Sequence, residues 1–181
     1  MTKSRFRALE LHRSLSSAFL ATADAVPAAR WDLPIAPGKW TPAEIATHLV
    51  ASYEVVLHEL RGGEGMRVVL SRPKQLLAML LAGWRIVWFG TFPKAARAPR
   101  ETRPAAGLPK EEALARFRAL ADEFTAAAAA APAGASITHA YFGVAPIARG
   151  IIVVARHIEH HRRQLEAQVE TVEKESGNAA D

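Results

Sequence analysis

Histidine is the residue type in this sequence best suited to chemistry, and two of its seven copies are spaced to act together. His157 and His161 stand four residues apart, so on a helix they lie about one turn apart on the same side. Counted at about 100° per residue, both fall beside an apolar seam formed by Val154, Ile158 and Leu165. Two imidazoles in this arrangement can bind one metal ion.

A third histidine could complete such a site from a neighbouring helix. His48 shares a helix face with Ile45 and Val56, so it is expected to point inward as well. The chain has no cysteine, so any metal site must be built from His, Asp and Glu. Three histidines would leave positions open for water or substrate. Neutral imidazole suits zinc, nickel, copper or iron, and we expect a divalent transition metal, zinc or nickel in the first place.

Each of these histidines could instead be an ordinary hydrogen-bonded core residue, and a pair spaced by four is by itself a weak signal. Three inward imidazoles on two helices are harder to explain without a shared partner, because burying an unpaired polar group is costly. Three nearby polar residues are candidates to hydrogen-bond the ligands or a bound water, namely Gln164, His160 and Ser52.

The pattern does not match the familiar zinc peptidase motifs. HExxH requires a Glu directly after its first His, whereas Ile158 follows His157 and Glu159 is expected on the opposite, solvent-facing side. The reversed motif, HxxEH, fails because His160 occupies the position of its Glu. Peptidase activity is therefore not expected.

The composition fits one folded domain of helices. The chain has 181 residues, of which 50% are hydrophobic and 23% charged, with a formal net charge of +5. It is too apolar for a disordered chain and long enough for a substantial core. Alanine and leucine dominate, and runs of β-branched residues are short, which favours helices. We expect one domain over residues 1–175 and a disordered polar tail over 176–181.

Five segments carry the helical period, and one of them has a sharp start. Thr41 suits the N-cap, Pro42 the first helical position and Glu44 the reciprocal position of a capping box. Trp40 is expected to pack on Ile45 as a hydrophobic staple. The five predicted segments are Lys3–Val26, Thr41–Arg61, Gly65–Phe92 with a break or kink at Pro73, Lys110–Ala131 and Ile147–Lys174.

Two proline-containing stretches separate the later helices. Pro93–Pro109 is expected to cross the surface in an extended form, and Pro132–Pro146 is expected to be a loop. With no convincing pair of strands, the sequence predicts an all-α fold: an antiparallel four-helix bundle with an additional helix or long crossover.

Neither a membrane nor a nucleic acid is an expected partner. Met1–Glu10 lacks the apolar core of a secretory signal, so we expect a cytoplasmic protein. Gln75–Phe92 is strongly apolar, but Arg85 interrupts it and a span needs about 20 apolar residues. Its apolar surface is a candidate contact between two copies of the chain. Five basic residues in or directly after the crossing are interleaved with Pro and Ala, unlike a nucleic-acid site: Lys94, Arg97, Arg100, Arg103 and Lys110.

Two blocks of the sequence resemble the DinB-like superfamily, which includes the YfiT-like proteins. Lys39–Leu49 (KWTPAEIATHL) is similar to the pattern W-[ST]-x-x-E-x-x-x-H-L that opens its second helix. His139–Gly143 (HAYFG), followed by His157–Leu165 (HIEHHRRQL), resembles its carboxyl-terminal pattern H-P-x-F-G … H-x-x-H-H-x-x-Q, with Ala140 where Pro is usual. The similarity covers about residues 5–172.

The resemblance implies a metal-dependent four-helix bundle, often dimeric, that binds a divalent ion through three histidines. By motif position these are His48, His157 and His161, the same three that helical phase selects. Relatives of known activity transfer low-molecular-weight bacterial thiols, or hydrolyse or isomerise related small molecules.

The expected function is therefore metal-dependent thiol transfer or hydrolysis of a small molecule by a homodimer, an S-transferase or a hydrolase. The inward-facing carboxylates that could act as a base are Glu44 and Glu59, and Glu44 is expected to be engaged in its helix cap. The alternative is a non-catalytic bundle that holds metal for stability or sensing.

Overall fold

Helices make up most of the part of the chain that the structure, a computed structural model, describes: residues 1–78 and 98–178. The long helices are α1 (Lys3–Ala25), α2 (Pro42–Leu60), α4 (Lys110–Ala130) and α5 (Ile147–Asn178); α3 is the short helix Arg72–Ala78. Two single 3-10 turns (Ala28–Arg30 and Arg100–Thr102) and two strands, β1 (Ser136–His139) and β2 (Gly143–Pro146), complete the described elements.

The start of α2 is fixed by the capping box that the sequence predicts. The Thr41 hydroxyl accepts a hydrogen bond from the Glu44 backbone N at 3.1 Å, and the Glu44 carboxylate accepts one from the Thr41 backbone N at 2.8 Å. Pro42 occupies the first turn, where its missing N–H costs nothing. This prediction is confirmed, and it sets the rotational phase of every side chain on α2.

The four long helices form the predicted bundle. Helix α1 packs along both α5 and α4, α2 packs along α4, and α2 also meets α5. Between them lies an apolar core in which the rings of Phe19 and Phe117 are 4.6 Å apart. The largest core side chains are less than 2% exposed and include Phe124, Leu49, Leu57, Ile151, Ile158 and Leu165. Burying such side chains is the main favourable term in the folding of the bundle.

The expected loop between α4 and α5 instead contains an antiparallel hairpin. Ile137 pairs with Ala145, and Gly143 adopts a positive φ of 70° where the chain turns back. The Glu59 carboxylate of α2 accepts hydrogen bonds from the Thr138 backbone N at 2.9 Å and from its hydroxyl at 2.6 Å. This long-range anchor has no local signature, and the strands are short, so the sequence pattern predicts only a loop here.

Several predictions fall wholly or partly outside the described residues. Only the first residues of the apolar stretch Gln75–Phe92 are described, as the end of α3. Two of the basic residues of the crossing, Lys94 and Arg97, lie wholly outside the described residues. Helix α5 is described as far as Asn178, and the last three residues of the expected tail lie outside the described residues. Within the described ranges, no helix combines the length and the apolar character that a membrane span requires.

Candidate metal centre

Three imidazoles converge where α2 faces α5. The Nε2 atom of His157 lies 3.1 Å from Nε2 of His48 and 3.1 Å from Nε2 of His161. One ring nitrogen from each residue lies within 4.8 Å of the others, so the three could hold a metal ion. Zinc–nitrogen distances of about 2.1 Å in a tetrahedral site place ligand nitrogens roughly 3.4 Å apart. The observed spacing fits three ligands around one such ion.

Hydrogen bonds on the far side of two rings decide where their protons lie. Nδ1 of His48 is 2.7 Å from the backbone carbonyl oxygen of Thr102, and Nδ1 of His161 is 2.8 Å from Oε1 of Gln164. Because these oxygens only accept, both Nδ1 atoms must donate. The Nε2 atoms of His48 and His161 therefore carry lone pairs, and both are directed toward His157.

The orientation of the Gln164 amide is consistent with this assignment. With Oε1 toward His161, its NH2 group lies 3.3 Å from Nε2 of His160 and can donate to it. Gln164 thus links the two neighbouring histidines of α5. Two of the three polar candidates named from the sequence, Gln164 and His160, are joined to the cluster in this way.

A proton cannot satisfy the cluster as well as a cation can. If Nε2 of His157 carried a hydrogen, it could donate along one line, to His48 or to His161, and the other lone pair would remain unpaired. Both of those residues are buried, at 3% and 6% exposure, so an unpaired nitrogen there would be costly. A metal ion accepts all three lone pairs at once, so the donor set fits a divalent cation that prefers nitrogen.

Burial keeps the three imidazoles in the form that binds metal. It lowers the pKa of His48 and lowers the pKa values of His157 and His161 well below their usual range. The neighbouring imidazoles lower the pKa values further, since two positive rings would repel each other. All three are neutral at pH 7, so a metal ion need not displace protons from them.

Trp40 forms one wall of this cluster, which the sequence did not indicate. Its indole centroid is 4.9 Å from the His48 imidazole, and the indole is stacked on His161 with 6.2 Å between centroids. The position of Trp40 directly before the helix cap predicts only a hydrophobic staple on Ile45. The available signal was that Trp40 belongs to the same sequence block as His48.

Thr102 is the second residue that sequence reasoning missed. It lies in the proline-rich crossing, which was expected to be a solvated surface segment, yet it is only 1% exposed. Its contribution is a backbone carbonyl, which any residue type could provide, so no residue pattern marks it. Ser52, by contrast, donates its hydroxyl hydrogen bond to the backbone carbonyl of His48 at 2.8 Å and so acts within α2.

The carboxylates considered for base catalysis are engaged elsewhere. Glu44 serves the α2 cap, as predicted, and Glu59 anchors the hairpin. The expectation for Glu159 was wrong: it is 5% exposed and accepts hydrogen bonds from Arg162 and Arg163, each at 2.8 Å. The hydrogen bond from Arg162 lowers the pKa of Glu159. The two guanidinium groups explain how a carboxylate can be buried there.

His139 lies close enough to His157 to lower its pKa, but it is not one of the three clustered histidines. Its ring is stacked on Phe142 with 4.6 Å between centroids, and its Nδ1 accepts a hydrogen bond from the Tyr141 backbone N at 3.2 Å. Burial lowers the pKa of His139 to about 4. The sequence motif that contains it therefore contributes a neutral ring to the surroundings of the three-histidine cluster.

Comparison with known proteins places the chain in a family. The sequence model of the DinB superfamily matches residues 9–165, a range that includes all three clustered histidines. The chain belongs to the DinB superfamily. Among solved structures, this DinB-superfamily protein is similar to YfiT from Bacillus subtilis, described as a probable metal-dependent hydrolase with an unusual four-helix bundle topology.

The likeness to YfiT concerns the fold. The two chains are 11% identical, and the TM-score is 0.61 over 95% of this chain and 90% of that chain. No curated protein sequence matches this DinB-superfamily protein. The resemblance seen in the two sequence blocks is thus confirmed at the level of family and bundle.

Proposed function

We propose that this DinB-superfamily protein is a metal-dependent enzyme whose ligands are His48, His157 and His161. The observation that carries the proposal is the convergence of their Nε2 atoms, with the Nδ1 atoms of His48 and His161 already engaged. The ion is a divalent transition metal of the kind that imidazole ligands bind, and the proposal names zinc or nickel first. Membership of the DinB superfamily and the similarity to YfiT support the same assignment.

The reaction is hydrolysis or thiol transfer on a small molecule. When bound by three histidines, such an ion polarises an electrophile and lowers the pKa of a coordinated water or thiol. The description of YfiT as a probable hydrolase favours hydrolysis. Use of a low-molecular-weight thiol, a homodimeric state and a cytoplasmic location are further parts of this proposal and come from the resemblance of the sequence blocks.

The protein's own contribution is to orient the imidazoles and to shield one side of them. The Thr102 carbonyl and the Gln164 side chain hold the rings of His48 and His161 by their Nδ1 atoms. Ligand partners of this kind fix the tautomer and raise the basicity of the coordinating nitrogen. The indole of Trp40 covers one side of the cluster and keeps water from that side.

The decisive experiment measures metal content and turnover together. Protein purified without a histidine tag is analysed for metals beside His48→Ala, His157→Ala and His161→Ala, with the exposed His58 replaced by Ala as the matched control. We expect an equimolar divalent metal in the parent and in His58→Ala, and its loss from the other three while circular dichroism still shows a helical bundle. Free metal at a concentration of 100-fold its Kd should raise the free energy of unfolding of the parent by about 2.7 kcal/mol.

The same preparations decide between catalysis and a purely structural metal. Loaded protein is assayed on panels of esters, amides and thiol acceptors with small thiols. Turnover by the parent that disappears in His157→Ala supports a catalytic role for the metal. Tight metal binding with no turnover on any panel favours the stabilising or sensing bundle, and the absence of metal binding overturns the proposal.

A further inference from the structure

The chain that leads into α4 is attached to the first half of α2. The backbone N of Leu108 donates to the Thr47 hydroxyl at 2.9 Å, and the carbonyl of Leu108 accepts from the Trp31 indole N at 2.9 Å. The Thr47 hydroxyl gives its own hydrogen to the Ala43 carbonyl at 2.7 Å, so its oxygen is free to accept. Leu108 is therefore held through both of its backbone polar groups.

Gly107 allows the chain to approach α2 closely, because it has no side chain. A Cβ atom at Gly107 would lie 2.3 Å from Cβ of Ala43, far inside a normal contact. Ala43 is completely buried, so it cannot move aside without disturbing the core. The residue at position 107 must therefore be glycine if the chain is to lie this near α2.

The other end of the same segment reaches the metal centre. Five residues before Gly107, the Thr102 carbonyl accepts the hydrogen bond from Nδ1 of His48. Ala43 and Thr47 occupy positions i and i+4 of α2 and lie one above the other on the same face, and His48 follows about 100° further round the helix. Residues 102–108, which we call the strap, therefore join the face of Ala43 and Thr47 to the ring of His48 in the cluster.

We propose that the strap is a positioning element for the metal centre, and that Gly107 and Thr47 support metal binding through it although neither is a ligand. This inference rests on the proposed function. The strap presents a carbonyl that makes His48 an Nδ1–H tautomer and fixes its ring, so that Nε2 is ready to coordinate. Loss of such a partner costs about 10- to 100-fold in metal affinity.

Two substitutions loosen the strap without touching a ligand. Gly107→Ala introduces the clash with Ala43, and Thr47→Val removes the acceptor of the Leu108 N–H while keeping the shape of the side chain. Gly134→Ala is the matched control, since a Cβ at Gly134 would meet nothing within 4 Å. Thr47→Val keeps the test valid if Gly107→Ala does not fold.

The readouts separate positioning from general stability. Nitrogen-15 NMR of the metal-free protein reports which nitrogen of His48 carries the hydrogen, and competition with a chelator gives the zinc affinity of the folded protein. We expect a single Nδ1–H tautomer in the parent and in Gly134→Ala. In Thr47→Val and Gly107→Ala we expect mixed tautomers and a zinc affinity about tenfold lower or more.

The strap proposal is overturned if the variants that fold, or Thr47→Val alone when Gly107→Ala does not fold, keep the parental tautomer and zinc affinity, whatever happens to their melting temperatures. Failure of the proposed function looks different: the parent itself would bind no zinc. In that case the tautomer of His48 in the metal-free variants still tests whether the strap positions the ring.

Discussion

The indole of Trp40 lies nearly parallel to the imidazole of His161, with 18° between the ring planes. The same indole is also close to His48, so Trp40 contacts a ligand candidate from each of the two helices that build the cluster. It is partly exposed and therefore stands at the boundary between the cluster and solvent. A metal ion held by His48 and His161 would lie beside two rings that this indole contacts, which makes Trp40 a reporter of occupancy.

Nickel or copper should quench the fluorescence of Trp40, because ions with partly filled d shells deactivate an excited indole at short range. Replacing Trp40 by Phe should remove most of the quenching while chelator competition still shows metal binding. Zinc has a filled d shell and serves as the control, giving binding without comparable quenching. Undiminished quenching by nickel in Trp40→Phe would place the ion elsewhere.

Gln164 should set metal affinity through the His161 ring. Gln164→Leu removes the acceptor at Nδ1, so we expect zinc affinity to fall by about tenfold or more. Gln164→Glu supplies a stronger acceptor and should keep the parental affinity or raise it. Gln75→Leu is the control, because that amide donates to the Leu70 carbonyl and belongs to α3. Equal zinc affinities in Gln164→Leu and Gln75→Leu would contradict this role.

His12 should make the stability of the metal-free protein depend on pH. Its ring is buried between the Tyr53 hydroxyl at 2.7 Å and the Thr125 hydroxyl at 3.2 Å. Burial lowers the pKa of His12 from 6.5 to about 4. Between pH 6.5 and about 4, the His12 side chain therefore binds a proton in the unfolded chain but stays neutral in the folded chain. The free energy of unfolding falls as the pH drops through this interval.

The contribution of His12 over this interval is on the order of 3 kcal/mol. In urea unfolding at several pH values, His12→Gln should show a shallower dependence on pH than the parent, whatever its stability at pH 7. Other buried histidines will keep part of the slope. Gly134→Ala, where the added Cβ would meet nothing within 4 Å, should leave the slope as it is in the parent. An unchanged slope in His12→Gln would show that this ring does not resist protonation.

The cap of α2 should be measurable as stability. Thr41→Ala removes the side-chain oxygen that accepts from the Glu44 backbone N, at a cost of about 1 kcal/mol. For a chain of this length that corresponds to a melting temperature lower by roughly 2–4 °C. Thr41→Ser keeps the oxygen and should melt close to the parent. Equal losses in both variants would mean that the methyl group, and not the hydrogen bond, matters at this position.

The amino-acid sequence by itself determined the features that local rules govern. The capping box of Thr41 and Glu44 depends on residues three positions apart, and the helix it starts fixes the direction in which His48 points. The four-residue spacing of His157 and His161 puts both rings on one side of α5 for the same reason. Helical phase therefore selected the three clustered histidines without any knowledge of how the helices pack.

Only the tertiary structure decided what surrounds those rings. Thr102 reaches His48 with a backbone carbonyl, and Glu159 is buried between two arginines of its own helix, where the count of helical phase placed it in solvent. The hairpin is held by a hydrogen bond from the Thr138 backbone N to the Glu59 carboxylate, 79 residues away along the chain. Such contacts join residues by packing, and backbone groups carry no residue-specific mark, so sequence periodicity cannot anticipate them.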